Sequence, residues 1–453
     1  MAPAADATHE RRLRRRYVAV AVLIVLFAFS LRVLYVETAQ VDSPIYGDSV
    51  QYMAYAWNLL HHQTFSSSPA GSAVPVPDAY RGPGYAVFLA LAMWSAGGNV
   101  RVSIYYVQII QCALGALTVL LVILLGRTWL SRGLALGAGV LVACWPHLIT
   151  FCGTLMSETL FGFFLVMSFW FLSMGERGSR TWQLAAAGLA FGCAYLVNPV
   201  ILFFPLLAGL LLVRLGQWRC AAVLVVCFSS IVAGWGWRNA GLPYEYGATR
   251  RAAENFVEGS IPLYMRAFNS RWVSPDAKRI VDVADNETAL LLHDPAAGMN
   301  AVFDRMRQQP GAYLSWYLLQ KPWKLWDWGI VIGTGDIYYP VTQRSPLERI
   351  AVLRAMKQLF EWVNPAFFVL AMFAALWLLL RVWVCRTIPF MAAAMAVFVI
   401  YVTGVHVVFQ AEPRYSVPYR PEEVLLALTA LAWVSALWSR RSSSASLTGN
   451  PAA

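Results

Sequence analysis

Ten mostly apolar runs, each long enough or nearly long enough to cross a bilayer, divide the 453-residue chain: 17–35, 104–125, 134–151, 159–174, 184–197, 200–214, 220–236, 362–381, 387–407 and 421–438. A spanning helix needs about 20 such residues, because the hydrocarbon core is about 30 Å thick and each residue rises about 1.5 Å. An eleventh run, 84–97, is shorter and follows Arg81-Gly82-Pro83. Charge decides its placement. With 84–97 kept out of the count, Arg127 and Arg132, Arg177 and Arg180, Arg214 and Arg219, Arg381 and Arg386, and Arg440 and Arg441 all fall on the side of the basic N-terminus. Cytoplasmic connections carry such an excess of Arg and Lys, so 84–97 is expected to be an interfacial or re-entrant helix.

The pattern therefore predicts an all-α polytopic membrane protein with about ten transmembrane helices, interfacial helices and a small extracytoplasmic region. Its expected parts are a basic cytoplasmic N-terminus (1–16), an N-terminal transmembrane module (17–236) with a first outer loop at 36–103, and an extracytoplasmic segment (237–361). C-terminal transmembrane helices (362–438) and a disordered cytoplasmic tail (439–453) complete it. Within the outer segment, Tyr313 to Trp328 mixes four Trp with two Lys, the composition of a helix lying on a membrane surface. The N-terminal arginines ahead of a long apolar run read as an uncleaved anchor, with no small-residue cleavage site.

Composition agrees, with 59% hydrophobic and only 13% charged residues. Soluble domains hold roughly 45–50% and 25%. The formal charge of +11 sits in short clusters beside apolar runs, which membrane topology explains and nucleic-acid binding does not. Seven cysteines, mostly inside the runs, form neither a disulfide framework nor a CxxC site. His147 and His406 have no second histidine at a ligand spacing, and His61-His62 is adjacent rather than i, i+4, so no metal site is assigned.

Charges are scarce in such a chain, and on this topology several gather on the outer face: Asp48 with Tyr52, Arg81, Ser157-Glu158, Arg238-Asn239, and Glu412 with Arg414 and Tyr415. Arginine pairs bidentately with phosphate, so Arg81, Arg238 and Arg414, with Tyr415, are candidates to hold a lipid phosphate. Asp48 is the candidate general base, and Glu158 the candidate for holding the acceptor or a sugar hydroxyl. Tyr52, Asn239 and Glu412 are candidate supports. Each of these charges is also the kind of residue that anchors a helix end, and Glu158 complements a helix dipole.

These motifs resemble the GT-C superfamily of membrane glycosyltransferases, in the branch of protein O-mannosyltransferases and lipid A aminoarabinose transferases. The resemblance rests on Gly47-Asp48-Ser49-Val50-Gln51-Tyr52, Tyr80-Arg81-Gly82-Pro83-Gly84-Tyr85, Trp145-Pro146 through Ser157-Glu158, Trp235-Gly236-Trp237-Arg238-Asn239 and Pro413-Arg414-Tyr415. Ser49 stands where members often carry a second acid, and Gly82 where they carry a proline. The resemblance implies inverting transfer of a sugar from a polyprenyl-phosphate donor to a lipid, glycan or protein acceptor, with Asp48 as base, Glu158 assisting, and Arg81 and Arg414 on the lipid phosphate. It implies a bacterial cytoplasmic (inner) membrane location with the active site on the extracytoplasmic face. No cofactor is required by it; a divalent metal is compatible with such a site but has no support in these residues. The other reading is a transporter or flippase of a polyprenyl-linked or amphipathic substrate. Ionisable groups near the bilayer midplane and inverted repeats mark transporters, and the chain shows neither pattern.

The topology makes a direct prediction. A cysteine within 250–300 should react with a membrane-impermeant maleimide added from outside, and one at 130 should not.

Overall fold

The computed structural model describes residues 3–177, 181–243, 246–331, 335–384 and 388–447. The N-terminal module runs α1 (Pro3–Thr38), α2 (Asp48–His62), α3 (Pro83–Ser95), α4 (Val100–Gly126), α5 (Arg132–Cys144), α6 (Pro146–Thr150), α7 (Glu158–Arg177), α8 (Thr181–Val197), α9 (Phe204–Arg214) and α10 (Trp218–Asn239). An outer helical layer follows: α11 (Ala248–Ser260), α12 (Tyr264–Ser270), α13 (Pro275–His293), α14 (Pro295–Gln308), α15 (Pro310–Ser315) and α16 (Lys321–Leu325). The short α17 (Pro346–Arg349) leads into α18 (Ala351–Val384), α19 (Phe390–Val408), α20 (Pro413–Ser416) and α21 (Arg420–Leu447). Two-residue strands β1 (Gln40–Val41) and β2 (Thr342–Gln343) pair antiparallel and tie the first outer loop to the outer layer.

Six of the described helices are long and apolar enough to span a membrane, and α5 with α6 makes a seventh if that bent pair is one span. This is a multi-pass membrane protein. At 13 residues α3 reaches only about 20 Å, too short to cross. Arg180, Cys385 and Arg386 lie outside the described residues. The described cysteines are all unpaired.

The structure differs from the sequence reading where helices break. The run 134–151 is bent by 58° between Cys144 and Pro146. Proline supplies no N–H and clashes with the preceding turn, so the last carbonyls of α5 lose their helical partners. Arg32, buried near the C-terminal end of α1, takes two of them, donating to Ala143 O at 3.1 Å and Val142 O at 3.3 Å. A cation at a helix C-terminus is favoured by the dipole as well. Gly115 makes room for it, since a Cβ there would sit 2.6 Å from Arg32 Nε.

The stretch 313–328 is not one surface helix. A π-helical turn over Trp316–Gln320 interrupts it, where Pro322 cannot continue the hydrogen-bond ladder. Trp316 and Lys321 turn inward and both donate to Gly259 O, at 3.1 and 2.9 Å. Only Leu314, Leu318, Leu319 and Trp323 remain as an exposed ridge. Two boundaries also move: α18 begins at Ala351, ahead of the expected 362, and α21 stays helical to Leu447, past Ser442 where disorder was expected. Nothing in either segment breaks a helix: Pro365 is accommodated within α18, and the Ser/Ala run after Arg441 holds no Gly or Pro.

The first outer loop is fastened from several sides. Asp78 accepts from Ser67 N at 2.6 Å, from Ser67 Oγ at 2.7 Å and from the Tyr55 hydroxyl. The Arg81-Gly82-Pro83-Gly84 turn rests on the C-terminal end of α8, where a Cβ on Gly82 would lie 2.3 Å from Leu196 O. Gly82 is therefore needed for close backbone approach, and Pro83 starts α3 at a position where its missing N–H costs nothing. Gly82→Ala should destabilise the protein by about 1–3 kcal/mol and displace Arg81, which thermal unfolding in detergent and loss of Arg81-dependent ligand binding would report.

Candidate functional site

Helix ends build the site. Gly47, at φ 58°, lets the chain turn into α2 so that Asp48 is its first residue, and the Asp48 N–H donates to the Tyr339 hydroxyl at 3.2 Å. Ser49 is buried and faces its own turn, accepting from Tyr46 N at 2.6 Å and donating to Tyr46 O at 2.9 Å. The residue in the family's second-acid position thus closes a turn here rather than facing the site.

Both oxygens of Asp48 are held by arginines from distant segments. Arg81 donates from Nη2 to Oδ1 at 2.7 Å, and Arg414 donates from Nη2 to Oδ2 at 2.5 Å. Arg81 is anchored by Gln51 Oε1 at 2.6 Å and reaches the Tyr52 hydroxyl at 3.5 Å. Tyr52 in turn donates to Ser157 Oγ at 3.3 Å. Arg414 Nε lies 2.9 Å from Glu158 Oε1, an ion pair in which the N–H is not aligned for a hydrogen bond. The second oxygen of Glu158 is buried without a partner. Tyr339 and Tyr415 place ring faces 4.6 and 5.5 Å from the Arg414 guanidinium.

Exposure is uneven. The Asp48 side chain is 28% exposed, whereas Arg81, Glu158 and Arg414 are all buried. Burial alone pushes the Asp48 carboxyl up, but the Arg81 and Arg414 guanidiniums outweigh it and hold Asp48 well below the usual carboxylate range. Against the same burial, the Asp48 carboxylate raises Arg81. A carboxylate at an opening, held in its ionised form by two buried cations, becomes more basic when those cations find another anion.

The remaining candidates divide. Glu412 is buried, pairs with Lys324, and leaves its second oxygen unpartnered; burial pushes its carboxyl up despite that lysine. The Tyr415 hydroxyl turns toward Gln410 Oε1 at 2.7 Å, and its ring stacks on His406. Arg238 is not brought to Asp48. It donates to Asp78 O at 2.7 Å, to Phe65 O at 3.1 Å and to Asn239 Oδ1 at 3.0 Å, against the Phe65 and Trp235 rings. Arg238 and Asn239 pin the first outer loop. Gln51 lies within the first quoted motif, one turn from Asp48 on the same helix, but carries no assigned role there; Tyr339 and Lys324 enter from outside the quoted motifs. No three metal-ligating side chains come together among the described residues.

The family model for dolichyl-phosphate-mannose-protein mannosyltransferase matches residues 93–235, less than half of the chain. The archaeal oligosaccharyltransferase AglB from Archaeoglobus fulgidus, in complex with an inhibitory peptide and a dolichol-phosphate, superposes with a TM-score of 0.50 at 15% identity. That match covers 97% of this chain and 53% of AglB. The fold is that of the GT-C glycosyltransferases. The same archaeal enzyme tethered to an acceptor peptide gives a TM-score of 0.50 at 13% identity, over 92% of this chain and 49% of the other. ArnT from Cupriavidus metallidurans bound to undecaprenyl phosphate is a looser likeness, with a TM-score of 0.38 at 12% identity over 87% and 77% of the two chains. The chain spans about half the length of the oligosaccharyltransferase. No curated protein matches it by sequence. The resemblance to the GT-C superfamily therefore holds at the level of fold, and the first outer loop of that fold carries Asp48.

Gly47→Ala is expected to disturb this site. It forces a side chain into backbone at φ 58°, ψ −123°, a conformation that glycine adopts and other residues scarcely do, and its Cβ would clash with the Tyr339 hydroxyl. The variant should fold yet bind an anionic lipid more weakly, as measured by native mass spectrometry.

Proposed function

We propose that the chain is an integral membrane glycosyltransferase that moves a sugar from a polyprenyl-phosphate donor to an extracytoplasmic acceptor with inversion. The observation that carries this reading is the clamp of Asp48 between Arg81 and Arg414, at 2.7 and 2.5 Å, within a GT-C fold. A donor phosphate is the anion that these two guanidiniums are suited to receive. As it draws them away, Asp48 loses the charges that suppress its basicity and can take a proton from an acceptor hydroxyl or amine. The acceptor atom then bonds to the anomeric carbon from the face opposite the phosphate, the carbon–oxygen bond to phosphate breaks, and the electron pair leaves on phosphate. Arg81 and Arg414 stabilise that growing charge. Glu158 keeps Arg414 oriented and holds a sugar or acceptor hydroxyl. The site lies on the extracytoplasmic face of a bacterial cytoplasmic membrane, the side assigned by the distribution of basic connections.

Asp48→Asn keeps the shape of the side chain and removes its basicity. Transfer of sugar from a polyprenyl-phosphate donor should fall by at least about 100-fold while undecaprenyl phosphate still binds; full activity would reject the mechanism.

Acidity supplies a separate check. The folded pKa of Asp48 lies below its unfolded value of about 3.9. Its contribution to stability is thus present above that value and lost only as the pH falls through the folded pKa. The kcat/KM, which reports the free enzyme, should accordingly show no acid limb from Asp48 between about pH 5 and 8. An Asp48-dependent limb with a midpoint in that range would contradict the clamp.

A further inference from the structure

On the other side of Pro413 from the clamp, an open cleft of about 530 Å³ runs between α12 and the 316–331 segment. Leu319, 69% exposed, and Trp323 form one wall, and Leu314 and Leu318 continue it outward as an apolar ridge. The Trp323 ring packs edge-on against Phe368 of the membrane helix α18, with centroids 5.6 Å apart, which sets this wall beside the bilayer surface. The polar lining is Gln320, Lys324 and Asp327 from the same segment and Arg266 from α12.

Charge decides what fits. The Lys324 ammonium is neutralised by the buried Glu412 carboxylate. Arg266 and Asp327 carry opposite charges, and neither has an ion pair among the described residues. Asp327 spends Oδ1 on Trp328 N at 2.8 Å, and Gln320 spends its amide N–H on Ser315 Oγ at 3.1 Å, which leaves the Gln320 carbonyl oxygen to accept. The polar lining is therefore neutral in sum, with donors and acceptors interleaved. A phosphate would meet Asp327, and a cation would meet Arg266. Hydroxyl groups, each donor and acceptor at once, use both. A planar indole beside such groups suits the apolar face of a sugar ring.

We infer that this cleft seats the acceptor, a neutral sugar-bearing amphiphile whose apolar part lies on Leu319 and Trp323 and whose hydroxyls meet Asp327, Gln320 and Arg266. The assignment rests on the transferase reading: the cleft and the clamp share the 412–414 segment, so a sugar-bearing group seated here lies beside the donor phosphate, whereas the donor's own hydrocarbon tail would leave Asp327, Gln320 and Arg266 unmet.

A photoreactive octyl glucoside tests it on the full-length protein in nanodiscs. Labelling should fall within 316–331 or at Leu263 and Arg266, be competed by octyl glucoside, and resist dihexanoylphosphatidylglycerol. Asp327→Ala and Gln320→Ala, both on exposed polar side chains, should each weaken labelling about tenfold, the scale of one lost hydrogen bond. Competition by the phospholipid or by an unstructured peptide would overturn the assignment, as would undiminished labelling in both variants. Arg81→Ala should label normally yet lose undecaprenyl phosphate. If it instead retains that lipid, the donor reading fails, whereas wild-type labelling away from 316–331, Leu263 and Arg266 defeats the cleft alone.

Discussion

Everything at the outer end of this bundle depends on one carboxylate shared by two buried guanidiniums. Asp48, Arg81 and Arg414 come from the start of α2, the turn before α3 and the first turn of α20, so their pairing joins the first outer loop to the last outer turn. Desolvating an arginine without a partner costs several kcal/mol, so neither cation would be stable in its place without an anion. Glu158 supplies the fourth charge, and the four sum to zero. The group best suited to be a base is also the group that closes the structure around itself. Its position at the opening, with the arginines behind it, makes it the one member of the cluster that an incoming ligand can displace.

Broken helices are what allow polar groups to gather in a chain this apolar. Asp48 and Glu158 each open a helix, where a negative charge complements the dipole. Arg414 sits buried in the single turn of α20, and its charge is met by Asp48 and Glu158. The bend at Pro146 follows the same logic from the other side. The carbonyls that it frees at the end of α5 are met by Arg32, and a spanning helix carries a buried cation as a result. Prolines and glycines at 47, 82, 83, 146 and 413 thus serve one end: they interrupt regular backbone where chemistry or a cap needs room.

Much of this was legible in advance because the physics is one-dimensional. A spanning helix is a run of about 20 apolar residues, and a charge in such a chain is rare enough to be noticed. Asp48, Arg81, Glu158 and Arg414 were found by that scarcity and do meet. Arg238 was found the same way and does not, because an arginine that pins a loop through backbone carbonyls has the same sequence signature as one that binds phosphate. The lysines at 321 and 324 were misread as surface charges, since the periodicity around Pro322 could not reveal a π turn that rotates them inward. Tyr339 carries no local signal at all. Its hydroxyl meets Asp48 N across 291 residues, through a pairing of β1 with β2 that is two residues long.

The proposed chemistry also has a balance that the geometry makes natural. Before transfer, Asp48 bears one negative charge and a sugar-linked lipid phosphate another, both drawn to Arg81 and Arg414. As the acceptor proton moves to Asp48, that charge disappears, and as the bond to the sugar breaks, the phosphate gains one. The total around the two guanidiniums is unchanged, so no reorganisation of buried charge is required at the moment of reaction. In this scheme the two buried arginines exchange one anionic partner for another. A lone arginine could bind the phosphate, but it could not hold Asp48 down in the empty site and still follow the charge when it moves. The clamp needs two, drawn from segments far apart in the chain, and the fold is what brings them to the same carboxylate.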